Sequence, residues 1–195
     1  ETPTGEIMAG AGTGTSGSSI TFGIKEKNYL GEGIKLNANL TLSDTGLEGL
    51  FSTNIRNYKN SDKDLNTTIE NSSIDQMSKF GYKTTKTGFS IGTSYEQFKD
   101  IYFSPSISNY YETMKTSSSA SSTRKKQEGD YIDSAFNYSF VLNKLDQNFQ
   151  PTDGYKTSFS QSLPLISSDY TIINALEYST YKSFNDDYVF GLNFL

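Results

Sequence analysis

Few residues in this chain could carry out chemistry. Histidine and cysteine are both absent from the 195 residues, which excludes disulfides, thiolate metal sites and histidine-based acid–base, triad or metal chemistry. The acidic turns 61–64 and 185–187 could offer oxygen ligands to Ca²⁺, but they lack the dense ligand spacing of a dedicated calcium loop. Such turns are more typical of solvated connections. We therefore expect a protein that is not an enzyme and that holds no metal or cofactor.

A glycine-rich segment matches a nucleotide-binding motif in its spacing. Gly12, Gly14 and Gly17 occupy the positions of the dinucleotide fingerprint G-x-G-x-x-G. That fingerprint works only where the glycines open a helix whose N-terminus meets the pyrophosphate. A β-branched and aromatic run follows here, so we interpret 5–14 as a weak strand and expect no nucleotide binding. The net charge of −5 also argues against non-specific binding of nucleic acid.

Alternation of apolar and polar residues predicts strands along nearly the whole chain. In the two opening runs, 18–27 and 34–42, the apolar positions are Ile20, Phe22, Ile24, Ile34, Leu36, Ala38, Leu40 and Leu42. Successive side chains of a strand point to opposite faces, so each run has one apolar and one polar face. Each run is about nine residues long, roughly the length of a tilted strand that crosses a bilayer. A polar face that carries lysines indicates a wet interior rather than a packed core.

The composition favours a membrane-spanning barrel over a soluble sandwich or a disordered chain. Apolar residues make up 34% of the chain, whereas aromatic residues reach 14%. A barrel with a solvated lumen needs apolar residues on one face only, and its aromatic residues gather at the two membrane interfaces. Regular alternation argues against disorder. Because the sequence has neither an initiating methionine nor a signal peptide, we expect it to be a segment of a longer protein.

The pattern predicts about eleven antiparallel strands in up-and-down order. The even-numbered connections should lie together at one rim, near Gly31, Ser61, Gln97, Asn148 and Asp186. Outer-membrane barrels have short turns on the periplasmic side and longer loops outside. The amino terminus is therefore predicted to begin in the periplasm, and the odd-numbered connections to face outwards. An odd number of strands cannot close a standard barrel, so further strands are expected beyond the carboxyl end.

Two segments depart from the strand pattern. Lys115–Asp130 is rich in serine and then basic, which predicts a long flexible loop on the outer side. Its Arg124-Lys125-Lys126 run could contact anionic headgroups or saccharide, although a solvated loop is the favoured interpretation. Pro105 lies inside a predicted strand and cannot donate a ladder hydrogen bond, so we expect a bulge or a locally loose edge there.

Two turns on the same rim carry further information. The first is Asn28-Tyr-Leu-Gly-Glu-Gly33, and the second is Lys144-Leu-Asp-Gln-Asn-Phe-Gln-Pro-Thr-Asp-Gly154. In composition and in position along the strand count they resemble turns of the BamA-type outer-membrane assembly factors, the bacterial surface antigen family. That family has an Asn-aromatic-Leu-Gly-x-Gly turn between barrel strands two and three. It has a Leu-Asp-x-x-Phe-x-Pro-Thr-x-Gly-like turn between strands eight and nine.

The opening Pro3-Thr4-Gly5 also resembles the family's junction between its last periplasmic POTRA domain and the first barrel strand. The resemblance covers the whole chain, although 65–74 and 115–130 match in position only. It implies a single domain over 1–195, with the junction at 1–4. That domain would be an all-β, antiparallel up-and-down transmembrane β-barrel that is incomplete, with about eleven strands of a probable sixteen.

The resemblance also implies the functional residues. The first strand would be the lateral gate, at which client strands pair, and it comprises Gly5, Glu6, Ile7, Met8, Ala9, Gly10, Ala11, Gly12, Thr13 and Gly14. The residues of the family turns are Asn28, Tyr29, Leu30, Gly31, Gly33, Leu145, Asp146, Phe149, Pro151, Thr152 and Gly154.

The implied function is to fold and insert β-barrel clients into the bacterial outer membrane. The implied partners are outer-membrane lipid, unfolded barrel clients and accessory assembly lipoproteins that bind upstream periplasmic domains, with no nucleic acid. A two-partner-type secretion pore or a passive porin-like channel is the main alternative. A soluble β-sandwich adhesin is a more remote one.

Overall fold

The computed structural model describes residues 4–14, 17–168, 170–185 and 188–195. The strands are β1 (Gly5–Gly14), β2 (Gly17–Tyr29), β3 (Ile34–Ser43), β4 (Gly46–Ile55), β5 (Asp64–Gln76), β6 (Tyr82–Phe98), β7 (Ile101–Thr116), β8 (Gly129–Asn143), β9 (Asp153–Ile166), β10 (Ile173–Asn185) and β11 (Tyr188–Phe194). Two short helices, α1 (Met77–Phe80) and α2 (Ser122–Lys126), and a 3₁₀ turn, Tyr58–Asn60, lie in connections. Pro3, Asp186 and Asp187, which the sequence analysis placed in the junction and in an acidic turn, lie outside the described residues.

The strands form one antiparallel sheet in which each strand pairs with its neighbours in sequence, from β1 to β11. This confirms the predicted all-β, up-and-down fold and the count of eleven strands. Within the described ranges no ladder joins β1 to β11, so the sheet is open and each of these strands is paired on one side only. None of the helices in the described part of the chain is long and apolar enough to span a membrane.

The sheet has an apolar and a polar face, and neither encloses a dry core. The ladders place Ala9, Phe22 and Leu40 next to one another on the apolar face. The side chains of this face are accessible, as shown by exposed fractions of 51% for Phe22 and 54% for Phe190. In the described chain the only buried apolar residues are Met114 and Ala120. The apolar side chains therefore face outwards from the sheet, as a membrane-spanning barrel requires.

Charged residues mark the limits of the apolar face. On the described strands the charges of this face lie near the two rims, at Glu26, Asp75, Lys83, Lys115, Asp130, Asp153 and Lys182. The band between them carries only apolar and neutral polar side chains. A charge in the hydrocarbon region is costly, so this band is where lipid would contact the sheet.

The connections at the two rims differ in their backbone geometry. We call the rim formed by 30–33, 56–63, 99–100 and 144–152 the inner rim, and the rim formed by 44–45, 77–81, 117–128, 167–168 and 170–172 the outer rim. Within the described residues, every non-glycine residue with a positive φ lies at the inner rim: Leu30, Asn57, Lys59, Asn60, Asp62, Asp100 and Gln150. Positive φ angles are typical of turn residues, and each of these inner-rim connections contains at least one such residue.

The predicted flexible loop Lys115–Asp130 requires correction. Strand β7 continues to Thr116 and β8 begins at Gly129, so the connection is 117–128, and it contains helix α2. The hydroxyl of Ser121 caps this helix by accepting a hydrogen bond from the Arg124 N–H at 3.3 Å. The connection also packs on the preceding outer turn, where the Ser117 N–H donates to the Gly81 carbonyl at 2.8 Å. These contacts make it an ordered cap on the outer rim, and we call it the outer cap.

Pro105 produces one of the two disturbances expected of it. It pairs with Tyr138 on the β8 side without a change of register. On the β6 side, pairing is interrupted between the Gly92–Ser106 and Tyr95–Phe103 pairs, and it resumes in the same register. The loose edge that a missing N–H implies is therefore present, whereas the bulge is not.

Candidate functional site

Strand β1 holds all ten residues that the sequence analysis assigned to the gate. It pairs with β2 over its full length, from Gly5 opposite Glu26 to Gly14 opposite Gly17. Every residue of β1 is exposed. The side of β1 away from β2 is thus an edge whose alternate N–H and C=O groups have no partner within the described sheet.

The outer half of β1 is almost bare of side chains. Gly10, Gly12 and Gly14 lie on the polar face, and an added Cβ atom would meet nothing within 4 Å at Gly10 and Gly14. At Gly12 it would meet only the Ser19 hydroxyl, at 4.0 Å. The apolar face of the same half carries Ala9, Ala11 and Thr13. Another strand could therefore approach this edge without displacing side chains.

The inner half of β1 makes specific side-chain contacts with β2. Met8 lies opposite Gly23, whose missing side chain leaves space for the Met8 thioether. Glu6 forms an ion pair with Lys27 at 3.3 Å. The two halves of the strand thus differ in how firmly their side chains are tied to the sheet.

The first family turn connects β2 to β3 and lies next to β1. The Asn28 side chain closes it by accepting a hydrogen bond from the Gly33 N–H at 2.6 Å, and the Asn28 carbonyl accepts one from the Gly31 N–H at 3.1 Å. Leu30 and Gly31 have φ angles of 56° and 76°, the geometry of a primed hairpin turn. A leucine in this region is strained, and here its side chain is 76% exposed.

The second family turn connects β8 to β9 and is organised by Asp146. Its carboxylate accepts hydrogen bonds from the Thr152 hydroxyl at 2.6 Å, from the Thr152 N–H at 3.0 Å and from the Asp153 N–H at 3.2 Å. The hydroxyl bond from Thr152, followed by the backbone N–H bonds, holds the pKa of the Asp146 carboxyl below its usual value. Phe149 projects from the turn and is 80% exposed.

The remaining motif residues shape the backbone of the second turn. Gly154 has a φ of 100°, and an added Cβ would collide with the Lys144 carbonyl and would lie 3.0 Å from the Leu145 Cα. Pro151 precedes Thr152, whose N–H and hydroxyl both bind Asp146. The motif is therefore a set of backbone requirements together with one carboxylate.

The structure places the first turn next to β1 but not the second. The β2–β3 turn directly follows the strand that pairs with β1. The β8–β9 turn lies on the same rim, with β4 to β7 between it and the β2–β3 hairpin. Any role of the second turn in gating would have to act through the sheet.

Sequence reasoning missed two contacts of the inner rim. Glu26 accepts hydrogen bonds from Thr4 and Asn28, and Lys144 forms an ion pair with Asp100 on the neighbouring β6–β7 turn. The hydrogen bond from Lys144 lowers the pKa of the Asp100 carboxyl. The Thr4–Glu26 and Lys144–Asp100 contacts do not follow from local sequence, because each joins residues of different strands or turns. Within the described ranges no cluster of three acidic residues could hold a metal ion.

Comparisons with known proteins agree with this geometry. The family model described as the Omp85 superfamily domain matches residues 28–194, a range that includes both family turns and begins after β1. The chain also resembles a crystal structure of BamA from Haemophilus ducreyi lacking POTRA domains 1–3, with a TM-score of 0.72 and 21% sequence identity. The match covers 96% of this chain and 39% of the BamA chain. This chain thus has the fold of part of a BamA-type barrel and spans well under half of that protein's length.

Proposed function

Because this chain belongs to the Omp85 superfamily, we propose that it is part of the barrel of an outer-membrane protein assembly factor, with β1 as the edge to which client strands are added. The observation that carries the proposal is the state of β1. Of the two edge strands of the described sheet, it is the one with small side chains, because four glycines and two alanines stand among its ten residues, whereas β11 carries Tyr188, Phe190 and Phe194.

The physical basis is the cost of an unpaired backbone in lipid. A client strand that enters the hydrocarbon region must satisfy its N–H and C=O groups within protein, since no water is present there. The free edge of β1 offers such groups in register, and pairing through the backbone does not depend on the client's side chains. The small residues of 9–14 allow close approach and leave little side-chain packing to hold a client afterwards.

The proposed work requires no catalytic residue and no cofactor. Binding and release of strands exchange backbone hydrogen bonds between partners, so that the free energy comes from the folding of the client itself. We place the barrel in the bacterial outer membrane, with its apolar band against lipid. Its further partners would be unfolded barrel clients and accessory lipoproteins that bind periplasmic domains.

A proline scan of β1 in the full-length protein tests the proposal. Along a strand, successive N–H groups point to opposite sides. Proline at Ala9 or Ala11 therefore removes N–H groups of one side, and proline at Gly10 removes one of the other side. One of the two sets disturbs the β1–β2 ladder, and the other set disturbs only the free edge. We expect the free-edge set to fold normally and to slow client assembly by at least about tenfold, the effect of losing about 1.4 kcal/mol of pairing.

The matched control at position 10 is Gly10→Ala, which leaves every N–H in place. At positions 9 and 11 the wild-type alanine is itself the control. Heat-modifiable migration on gels reports folding of the variant, and assembly of a reporter barrel reports function. Normal client assembly by folded variants of both proline sets would refute the proposal.

A secretion pore or passive channel is the second candidate, favoured by the polar face of the sheet. Across β6 to β9 this face is lined by uncharged hydroxyl side chains, among them Ser90, Ser106, Ser108, Ser139 and Ser160. Such a wall would suit passage of water or of an extended chain. Steady single-channel conductance in planar bilayers, unaffected by the proline variants, would favour this candidate over assembly.

A further inference from the structure

Two lysines lie directly opposite each other on the apolar face, near the outer end of the β6–β7 ladder. They are Lys83 and Lys115. Among the residue pairs of the described ladders they form the only pair of like charge, and every other pair in which both residues are charged joins an acid to a base. Like charges directly across a ladder lower the stability of a sheet. The arrangement therefore favours an additional group that balances the two ammonium groups.

Neighbouring acids balance the lysine pair only in part. Asp75, which lies opposite Lys83 on the β5 side, forms an ion pair with it at 3.1 Å. Asp130 lies diagonally across from Lys115, but its carboxylate accepts a hydrogen bond from the Thr113 hydroxyl at 2.8 Å. In the described part of the chain no ion pair includes Lys115, which is exposed. Its ammonium group is therefore open to an anion from outside the sheet.

The basic run of the outer cap is directed elsewhere. The Arg124 guanidinium lies over the Tyr82 ring, 4.6 Å from its centroid. Tyr82 directly precedes Lys83 on β6 and so belongs to the polar face. Lys125 donates a hydrogen bond to the Ser118 carbonyl at 2.7 Å. Because the protein itself engages these two bases, the lysine pair is better placed to contact lipid.

The lysine pair lies at the depth where the apolar face meets water. Towards the middle of the strands, the next pair on this face is Thr85–Thr113, and Thr87–Tyr111 follows it. Tyr111 is 50% exposed, and tyrosine is enriched where a membrane meets water because its ring is apolar and its hydroxyl is polar. Two rows of hydroxyl groups thus separate the ammonium groups from the apolar band. This is the level of lipid phosphates.

We propose that Lys83 and Lys115 together bind the phosphate of an anionic phospholipid headgroup at the outer rim. A phosphate between two ammonium groups accepts charge-assisted hydrogen bonds from both, and it replaces their repulsion with attraction. Because the ladder fixes the two lysines opposite each other, they form one site for one headgroup. The proposal rests on the proposed function only in placing the apolar band against lipid, and it does not depend on client pairing.

Lysine acetylation of the full-length protein in lipid nanodiscs tests the site. A water-soluble N-hydroxysuccinimide ester of acetic acid is the reagent, and peptide mass spectrometry gives the rate at each lysine. Nanodiscs of phosphatidylcholine are compared with nanodiscs that also contain phosphatidylglycerol with the same acyl chains. We expect phosphatidylglycerol to slow acetylation of Lys115 about tenfold, the effect of shielding by a headgroup that occupies the site about nine-tenths of the time.

Lys182 is the internal control for the surface potential of the anionic membrane. It lies on the same face at the inner rim and forms an ion pair with Asp153 at 2.6 Å, with no second base opposite it. Its acetylation should slow by less than about twofold, since a surface potential alone acts on both lysines. Equal slowing at Lys115 and Lys182 would overturn the proposal.

Two variants test whether the lysines act as a pair. Lys83→Gln should reduce the effect of phosphatidylglycerol on Lys115 to that seen at Lys182. Lys126→Gln, in the outer cap, removes the same charge from the same rim and is the matched control, so the effect on Lys115 should persist. An effect on Lys115 that survives Lys83→Gln would refute a paired site.

Inorganic phosphate distinguishes a lipid site from a site for free anions. Added to phosphatidylcholine nanodiscs, it should leave the acetylation rate of Lys115 unchanged, and protection equal to that by phosphatidylglycerol would contradict the choice of lipid. Protection of Lys115 by phosphatidylglycerol together with normal client assembly by the proline variants would refute client pairing and leave the lipid site standing. Blocked assembly in the proline variants together with equal slowing at Lys115 and Lys182 would do the reverse.

Discussion

Met8 and Gly23 face each other across the β1–β2 ladder, and the methionine side chain occupies the space that a side chain on the glycine would need. A Cβ atom on Gly23 would lie 2.9 Å from the Met8 Cε atom and 2.6 Å from the Asn39 Oδ1 atom. This contact is the main packing of a β1 side chain on the polar face, so it holds β1 against β2, which is paired on both sides.

Filling this space should loosen β1. Gly23→Val forces the Met8 thioether away, and overpacking of this kind costs about 1–3 kcal/mol. We expect a corresponding loss in the free energy of unfolding, measured by guanidinium titration in lipid vesicles. Met8→Ala in the same chain makes room for the valine, so the double variant should be more stable than Gly23→Val alone.

The control for this substitution is Gly49→Val on β4. An added Cβ there makes ordinary contact with Leu40, at 3.8 Å, so stability should not fall. Equal losses at Gly23 and Gly49 would show that the Met8 contact does not determine the effect.

An added charge should lower stability on the apolar face of the sheet but not on the polar face. Ile69 lies near the middle of β5 on the apolar face and is 57% exposed, and its neighbour Thr68 lies on the polar face. A lysine at the bilayer midplane of a barrel costs about 2–4 kcal/mol when it faces lipid. We expect that loss for Ile69→Lys, and a change within about 0.5 kcal/mol for Thr68→Lys. Equal effects of the two lysines on unfolding in vesicles would contradict the assignment of the faces.

The β8–β9 turn should depend on pH through Asp146. The pKa of its carboxyl is lowered in the folded state by the Thr152 hydroxyl and the backbone N–H groups. The ionised group therefore stabilises the fold above its unfolded pKa of about 3.9, and this contribution is lost as the pH falls through the lower, folded-state value. Asp146→Asn should be less stable than the wild type at pH 7, and the difference should vanish as the pH falls below about 4.

Thr152→Val provides the partner variant for this turn. It removes the hydroxyl bond that contributes most to the lowered pKa, so the pH dependence should become shallower. Both variants are compared with the wild type by denaturant midpoints across the pH range. A stability difference for Asp146→Asn that does not change with pH would rule out the ionised carboxylate as its source.

The outer cap should resist proteolysis for as long as it packs on Gly81. This residue has a φ of 72°, and an added Cβ would lie 2.6 Å from both the Ala120 N and the Ser119 Oγ atoms. Gly81→Val should therefore displace the cap and raise the rate of trypsin cleavage after Arg124 by about tenfold, since cleavage follows the population of the opened segment.

The control for the cap is Gly33→Val, at a glycine with a similar φ of 69° and open space around it. It shares the backbone strain but lies at the other rim, so cleavage at the cap should stay at the wild-type rate. Rapid cleavage in the wild-type protein would show that the segment is flexible after all.

Most of the fold could be predicted from the alternation of apolar and polar residues, because a two-residue repeat can be recognised within a short stretch of sequence. The run Ile34–Leu42 predicts β3 almost to the residue. Strand β5 gave a weaker signal because Thr67 and Asn71 replace apolar residues on its outward face. Pairing with β4 on one side and β6 on the other determines it instead.

The outer cap could not be predicted from its composition. Its order comes from contacts with Gly81, which is distant from the cap in sequence, and from the burial of Ala120 within the cap. One local signal was present, since Ser121 is a favourable N-cap residue directly before helix α2. In the candidate site, the gate strand came from the family resemblance. Glu26 was missed because its partner Thr4 is brought to it by the register of β1 with β2.

The order of the ladders has a consequence for how the chain reaches the membrane. Every described strand pairs with the one made just before it, so hairpins can be added one after another and no strand waits for a distant partner. At each stage, however, the newest strand still presents one unsatisfied backbone edge, which hydrocarbon tolerates poorly. A sheet that grows in this way faces the same difficulty that its first strand is proposed to relieve in other proteins.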